Sequence, residues 1–79
     1  MDEKHQRVTN SFENADRTRC VDIVIHDHGR YGFAEWRRDP EDPGNWYRMA
    51  DDGGVKFDVE ADAIAAARLR IVWFGMSER

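Results

Sequence analysis

Hydrophobic and polar residues alternate most clearly in the segment CVDIVIH, residues 20–26. Branched apolar side chains occupy every second position from Val21 to Ile25, a pattern typical of a β-strand. The residues DHGR follow this strand. Because glycine accepts a positive φ, they predict a tight turn centred on His28 and Gly29.

The next apolar segments extend this strand into a β-meander. The segment YGFAEWR, residues 31–37, predicts a second strand antiparallel to the first. Residues 38–45, RDPEDPGN, are interpreted as a loop, because two prolines and a glycine interrupt any regular pattern. Residues 46–50, WYRMA, predict a third strand, and DDGG turns the chain again before a short extended piece at residues 55–57.

Helical spacing appears in residues 58–74, DVEADAIAAARLRIVWF. Four apolar residues recur on one helical face: Ile64, Ala67, Ile71 and Phe74. Asp58 is a plausible N-cap, and Gly75 is placed to close the helix. The alternative is a break near Arg70 that makes IVWF a strand. We favour the helix, so the predicted fold class is α+β: a three-stranded antiparallel β-meander followed by one C-terminal helix packed on one sheet face.

Domain organisation follows from length and polarity. The chain has 79 residues, enough for a single small domain. Residues 1–19 are mostly polar and charged, and such a segment hardly repays the entropy of ordering. We therefore predict a flexible N-terminal tail over residues 1–19 and one α+β domain over residues 20–79.

A turn at His28 and Gly29 would also fix which side chains share a sheet face. The pairs on the predicted apolar face are Ile25 with Gly32, Ile23 with Ala34, and Val21 with Trp36. We expect the helix to cover this face, with Tyr47 and Met49 also turned toward it.

The opposite face would then carry an apolar patch with a polar rim, a common property of interaction surfaces. Six residues form this predicted contact surface: Val24, His26, Tyr31, Phe33, Trp46 and Arg48. Two other interpretations remain open. The aromatic residues could serve only cross-strand packing, or the surface could bind a second copy of the chain as a homodimer.

Candidate catalytic groups are few. The segment HDH offers imidazole and carboxylate ligands, but a third ligand is not at hand and no cysteine pair supports a zinc site. Cys20 lies about 20 Å from His26 if strand residues are spaced by ~3.3 Å, which is too far for activation as a nucleophile. We therefore expect no catalytic residue, no metal and no cofactor, and a protein that is not an enzyme.

Net charge and cysteine content restrict the class of binding partner and the cellular compartment that we expect. The formal net charge of −4 makes nucleic acid an unlikely partner, although a small sheet beside a helix can dock on DNA or RNA. The longest apolar run is well short of the ~20 residues that cross a bilayer, so no membrane association is expected. The single cysteine and the charged start MDEKHQRVTN favour the cytoplasm.

Three motifs carry a resemblance to a known family: HDHGRYGFAEW, DPGNW and RIVW, with Trp36, Trp46 and Trp73 in that order. Residues 24–73 resemble the MbtH-like family, small proteins that bind and activate adenylation domains of nonribosomal peptide synthetases. The resemblance implies a three-stranded sheet with a packed helix, an adenylating enzyme as partner, and Trp36 and Trp46 as contact residues. The chain departs from the family pattern because no proline follows Trp36 directly.

The strand order and the helix start FDVEADAIAAA are also similar to those of other small bacterial domains of unknown function. Taken together, the sequence predicts a small non-catalytic binding or accessory module with an unknown protein partner. The alternatives are an MbtH-like accessory protein and a nucleic-acid-binding module.

Overall fold

A computed structural model describes residues 7–76. The described chain contains four strands and two helices: β1 (Arg7–Glu13), β2 (Arg19–Ile25), β3 (Tyr31–Asp39), β4 (Asp42–Asp51), α1 (Glu60–Arg70) and α2 (Val72–Met76). The strands form one antiparallel sheet in the order β1-β2-β3-β4. The predicted α+β class with an antiparallel sheet is confirmed, whereas the predicted count of three strands and one helix is wrong.

The additional strand, β1, lies in the segment predicted to be a flexible tail. It pairs with β2 along its length, and the Phe12 ring lies 5.1 Å from the Phe74 ring between centroids. Ser11 also donates a hydrogen bond of 2.8 Å to Asp22. One aromatic anchor and a backbone ladder thus order a strand whose side chains are otherwise mostly exposed. Residues 1–6 of the predicted tail lie outside the described residues.

The predicted loop at residues 38–45 is instead a tight hairpin. Strand β3 continues to Asp39 and β4 begins at Asp42, which leaves only Pro40 and Glu41 between them. Proline suits such a turn because its φ is already fixed. Pro43 lies within β4, an edge strand of the described sheet, where a missing N–H does not interrupt a ladder on the unpaired side.

The predicted single helix is interrupted at Ile71. There the backbone is extended (φ −108°, ψ 107°), although the Ile71 N–H still donates a 2.8 Å hydrogen bond to the Ala67 carbonyl. Ile71 and Phe74 both lie in the core, where they are 3% and 1% exposed. Gly75 does not end the first helix; it lies inside α2, where an added Cβ would be 2.5 Å from the Arg68 carbonyl oxygen. At the start of α1 the N-cap is Val59 rather than the predicted Asp58.

The turn between β2 and β3 is one residue longer than predicted. A 3-10 turn covers Asp27–Gly29, in which His28 and Gly29 both have positive φ, at 70° and 72°. The His26 N–H donates to the Arg30 carbonyl at 2.7 Å, which closes this turn. The extra residue shifts the pairing of the two strands by one position, so every side chain of β3 changes face relative to the prediction.

The observed pairs are Ile25 with Tyr31, Ile23 with Phe33, and Val21 with Glu35. The predicted pairs with Gly32, Ala34 and Trp36 are therefore wrong, although the assignment of the β2 face was right. The buried core lies between this sheet face and the helices. Its members are Val21, Ile23, Phe33, Ala63, Ala67, Ile71 and Phe74.

One carboxylate is buried at the margin of this core. Glu35 is 7% exposed. Its Oε2 accepts hydrogen bonds from the Arg19 guanidinium at 3.1 Å and from the Trp73 indole at 2.9 Å. Both partners satisfy the charge, so Glu35 ties β2, β3 and α2 together instead of marking a reactive group.

Candidate functional site

Two of the six residues predicted to form the contact surface lie on the wrong face for it. Phe33 is 3% exposed within the core cluster, and Tyr31 packs partly buried against the same cluster. Tyr31 also exchanges two backbone hydrogen bonds of 2.8 Å with Phe57. The one-residue shift at the turn explains both errors, because it turns the Tyr31 and Phe33 side chains under the helices.

The other four predicted residues lie on the sheet face that the helices leave uncovered: Val24, His26, Trp46 and Arg48. Trp36, which was predicted to be core, lies there too. It stands between Cys20 of β2 and Arg48 of β4. Tyr47, also predicted to be core, is 50% exposed.

Trp36 and Trp46 line a concave site on the uncovered face. The site has a volume of about 420 Å³, and we call it the tryptophan groove; its lining residues are Ser11, Glu13, Cys20, Asp22, Trp36 and Trp46. Strand pairing explains how it forms, because Glu13, Cys20, Trp36 and Arg48 are successive partners across all four strands. Each strand thus contributes to one row of side chains.

Each tryptophan of the groove carries an arginine on its ring. The Arg48 guanidinium carbon lies 4.8 Å from the Trp36 ring centroid, and that of Arg38 lies 4.5 Å from the Trp46 ring centroid. These are cation–π distances. Arg48 is also paired with Asp51 at 3.2 Å. The stacking restrains the positions of both tryptophan rings.

Both guanidinium groups already have partners within the chain. Besides its ring contact, Arg38 donates to the carbonyls of Arg17 at 2.9 Å and Pro43 at 3.2 Å. Arg48 is committed to Asp51 and Trp36. The positive charges beside the groove are therefore largely engaged.

The polar side of the groove is a small hydrogen-bonded cluster. Ser11 Oγ donates to Asp22 Oδ1 at 2.8 Å, and Cys20 Sγ donates to the same oxygen at 3.3 Å. Burial raises the pKa of the Cys20 thiol to about 11, and the negative charge of Asp22 acts in the same direction. Because the thiolate is the reactive form, the raised pKa lowers the reactivity of this thiol at neutral pH.

One polar atom of the groove has no partner. Trp36 Nε1 is buried and makes no hydrogen bond within residues 7–76. Buried donors are nearly always satisfied by protein or by solvent, so an unpaired indole N–H calls for an explanation. An acceptor can reach this atom only if the side chains that cover it move.

A second hollow, of about 220 Å³, lies on the same sheet face, and contacts within the chain account for its polar residue Asp52. Asp52, 8% exposed, accepts from the N–H groups of Phe33 at 3.1 Å and Gly54 at 2.9 Å. Its side chain thereby continues the edge of β3 beyond the end of β4. His26 Nε2 lies 3.9 Å from Asp52 Oδ2, and Val24 is only 6% exposed. Val24 is thus buried, whereas His26 Nε2 is buried without a hydrogen-bond partner among residues 7–76. Neither residue lines the tryptophan groove.

Comparison of the chain with protein-family models, curated proteins and solved structures finds no match. The MbtH-like resemblance therefore stays a prediction. Over residues 7–76, no three His, Cys, Asp or Glu side chains are arranged to hold a metal ion. In the same part of the chain, neither helix has the length and apolar character needed to cross a bilayer.

Three lining residues of the groove were not predicted on the helix-free face: Ser11, Glu13 and Trp36. Ser11 and Glu13 fell in the predicted tail, and Trp36 fell on the predicted core face. The family resemblance did single out Trp36 and Trp46 together, and these two line one groove. The alternation of Ser11 and Glu13 with Asn10 and Phe12 was the remaining signal for an additional strand.

Proposed function

We propose that this protein is a small non-catalytic binding module that contacts a partner protein through the helix-free sheet face, at the tryptophan groove. The observation that carries the proposal is the placement of two tryptophans on the walls of one concave site that the helices do not cover. Tryptophan and arginine are the residues most enriched among interface hot spots, and both are concentrated here.

The geometry of the groove supports binding in two further ways. The tryptophan rings are held by stacked arginines, and pre-ordered side chains lose less entropy when a partner docks. The buried indole N–H of Trp36 makes no hydrogen bond within residues 7–76, so movement of the side chains that cover it would free it to donate to that partner.

The chemistry of the groove favours binding over catalysis. Its only thiol has a pKa raised to about 11 by burial, so it is not a nucleophile at neutral pH. The Asp22 oxygen beside it is engaged with two neutral donors. We place the action of the protein in the cytoplasm, because its single cysteine allows no internal disulfide.

An MbtH-like accessory role is the second candidate, with an adenylating enzyme as the partner. One observation favours it: the two tryptophans that this resemblance marks as contact residues share the groove. The nucleic-acid alternative is less favoured, because the groove is lined by the carboxylates of Glu13 and Asp22 and by no cation.

Trp46 and its neighbour Tyr47 provide a matched test. They are adjacent on β4, but Trp46 lines the groove and Tyr47 lies on the other face beneath Arg37. Affinity capture with the wild-type chain, Trp46→Ala and Tyr47→Ala as baits should recover a partner that Trp46→Ala loses and Tyr47→Ala retains. Circular dichroism and urea unfolding are the controls that must show that both variants fold. Equal recovery with all three folded baits would refute the proposal, and an adenylating enzyme as the lost partner would support the second candidate.

A further inference from the structure

The lining of the tryptophan groove is negatively charged. Its six lining residues include the carboxylates of Glu13 and Asp22 but no Lys, Arg or His. Glu13 has one loose ion pair, 3.7 Å to Arg17, a residue whose side chain is 75% exposed. Within residues 7–76, the only side-chain hydrogen bonds that the Asp22 carboxylate accepts come from the uncharged side chains of Ser11 and Cys20.

The same groove has aromatic walls suited to a cation. Arg48 shows that the Trp36 ring accepts a guanidinium, at 4.8 Å on the β4 side. The lining of the groove also includes Cys20 and Asp22 of β2, the strand that pairs with β3 on the side away from β4. A second cation placed there would meet an aromatic surface and a carboxylate together, the combination that proteins use to hold basic groups.

The unpaired Trp36 Nε1 requires a hydrogen-bond acceptor from the ligand, in addition to a cation. The atom is buried and an indole N–H donates only, so a ligand that satisfies it must displace the side chains that cover it and bring an acceptor. A polypeptide supplies both needs, because a basic side chain is attached to a backbone that carries a carbonyl oxygen within a few bonds. A nucleic acid supplies acceptors but would be repelled by Glu13 and Asp22.

From these three observations we infer that the tryptophan groove receives a lysine or arginine side chain of a partner polypeptide, with Asp22 and Glu13 facing the charge, the tryptophan rings lining its stem, and Trp36 Nε1 donating to a backbone carbonyl of the partner. This inference rests on the proposed function and specifies the chemistry of the partner.

Short peptides test this inference directly. The probes are a five-residue peptide, capped at both ends, with arginine at the centre of four glycines, and two counterparts with citrulline or glutamate at the centre. Citrulline has nearly the same shape as arginine without the charge. The readout is the indole N–H signals of Trp36 and Trp46 in ¹⁵N–¹H NMR spectra of the full chain. The arginine peptide should shift both signals saturably and bind about fivefold more tightly than the citrulline peptide, the factor expected for a partly exposed cation–π contact and an exposed charge contact with Asp22 together.

An Asp22→Asn variant removes the charge and keeps an oxygen that accepts from Ser11 and Cys20. It should reduce the preference for arginine over citrulline to below about twofold, a loss of the same order as one exposed charge contact. Asp39→Asn, at the exposed end of β3, is the control and should leave the preference unchanged.

The outcomes separate this inference from the proposed function. Equal binding of the arginine and citrulline peptides, or tighter binding of the glutamate peptide, overturns the inference but leaves a peptide-binding groove in place. Failure of every peptide to shift the indole signals also overturns it, and the capture comparison of Trp46→Ala with Tyr47→Ala then decides the proposed function independently.

Discussion

Trp36 lies directly across the β3–β4 pair from Arg48, with the guanidinium carbon 4.8 Å from the centre of the indole ring. This stack stands on the sheet face opposite the helices. It orders one wall of the tryptophan groove and keeps a positive charge on the outer side of that wall. Both the shape and the charge of the groove depend on this pair.

The stack should be measurable as a coupling energy. A double-mutant cycle of Trp36→Leu and Arg48→Met should give an interaction of about 0.5–1 kcal/mol in the free energy of unfolding, the usual range for a partly exposed cation–π pair. Urea unfolding supplies the four values. The control cycle pairs Trp36→Leu with Arg30→Met, which removes a charge that faces Asp58 instead, and should give no coupling. A coupling near zero in the first cycle would contradict the stacking account.

The structural role of β1 predicts a loss of stability in a segment expected to be a tail. Phe12→Ala removes the ring contact with Phe74 and should lower the free energy of unfolding by about 2–3 kcal/mol, somewhat less than a fully buried phenylalanine. Val8 lies on the same strand and is 55% exposed, so Val8→Ala should change stability by less than about 0.5 kcal/mol. Urea unfolding of both variants tests this. Equal small effects would show that β1 does not help to hold the fold.

Substitution of Gly32 is predicted to lower the stability of the fold, because the side chains of Asp52 and His26 lie close to it. A Cβ at this position would overlap Asp52 Oδ2 and lie 2.8 Å from His26 Nε2. Asp52 is fixed by its hydrogen bonds to backbone N–H groups, so it has little freedom to move. Gly32→Ala should therefore cost about 1–3 kcal/mol, as overpacking does in a tight site.

Gly44 provides the control for this substitution. It lies in β4, and an added Cβ there meets no atom within 4 Å. Thermal or urea unfolding should therefore place Gly44→Ala close to the wild type and Gly32→Ala well below it. Similar stabilities for the two variants would contradict the close approach of Asp52.

The buried thiol predicts a pH effect of defined sign. The pKa of Cys20 is raised from an ordinary value of 9.0 to about 11. Between these values the unfolded chain releases the thiol proton while the folded chain keeps it. The stability that the protonated thiol provides is therefore complete below pH 9 and is lost as the pH rises toward about 11.

Comparison with Cys20→Ala isolates this effect from other groups that titrate in alkali. The urea midpoint of the wild type should fall more steeply from pH 8.5 to about 10.5 than that of Cys20→Ala, because only the wild type carries the thiol. Identical slopes would contradict the raised pKa. Since Cys20 is the only cysteine, slow alkylation of the folded chain at neutral pH provides a second readout.

The sequence was sufficient for the elements whose signals are local. The alternation in β2 and the helical spacing after Val59 both appear in the structure at nearly the predicted positions, and the α+β class follows from them. The buried positions Ala67, Ile71 and Phe74 also follow from spacing alone. These features depend on neighbouring residues, which a pattern can capture.

The remaining features depend on geometry that a pattern does not contain. The β2–β3 register depended on whether Asp27 pairs with Arg30 or belongs to the turn, and the 3-10 turn Asp27–Gly29 includes it. This one additional turn residue moved Trp36 to the uncovered face and Phe33 to the core. Strand β1 was missed because its stabilisation comes from a distant contact between Phe12 and Phe74.

The uncovered sheet face is not the only exposed apolar surface of the described chain. Leu69, Val72 and Met76, from the helices, are 88%, 72% and 74% exposed. They are a rival contact surface, and Met76 lines a further hollow of about 460 Å³ with Glu13 and Trp73, which does not include Trp36 or Trp46.

The most direct test of the central claim is therefore a map of the surface that the partner covers. The ¹⁵N-labelled chain is titrated with the partner recovered in the capture experiment, and the perturbed NMR signals are placed on the structure. The largest signal perturbations should fall on Ser11, Asp22, Trp36 and Trp46, with little perturbation at Leu69 and Val72. Changes centred on Leu69, Val72 and Met76, with the indole signals of Trp36 and Trp46 unmoved, would contradict the central claim.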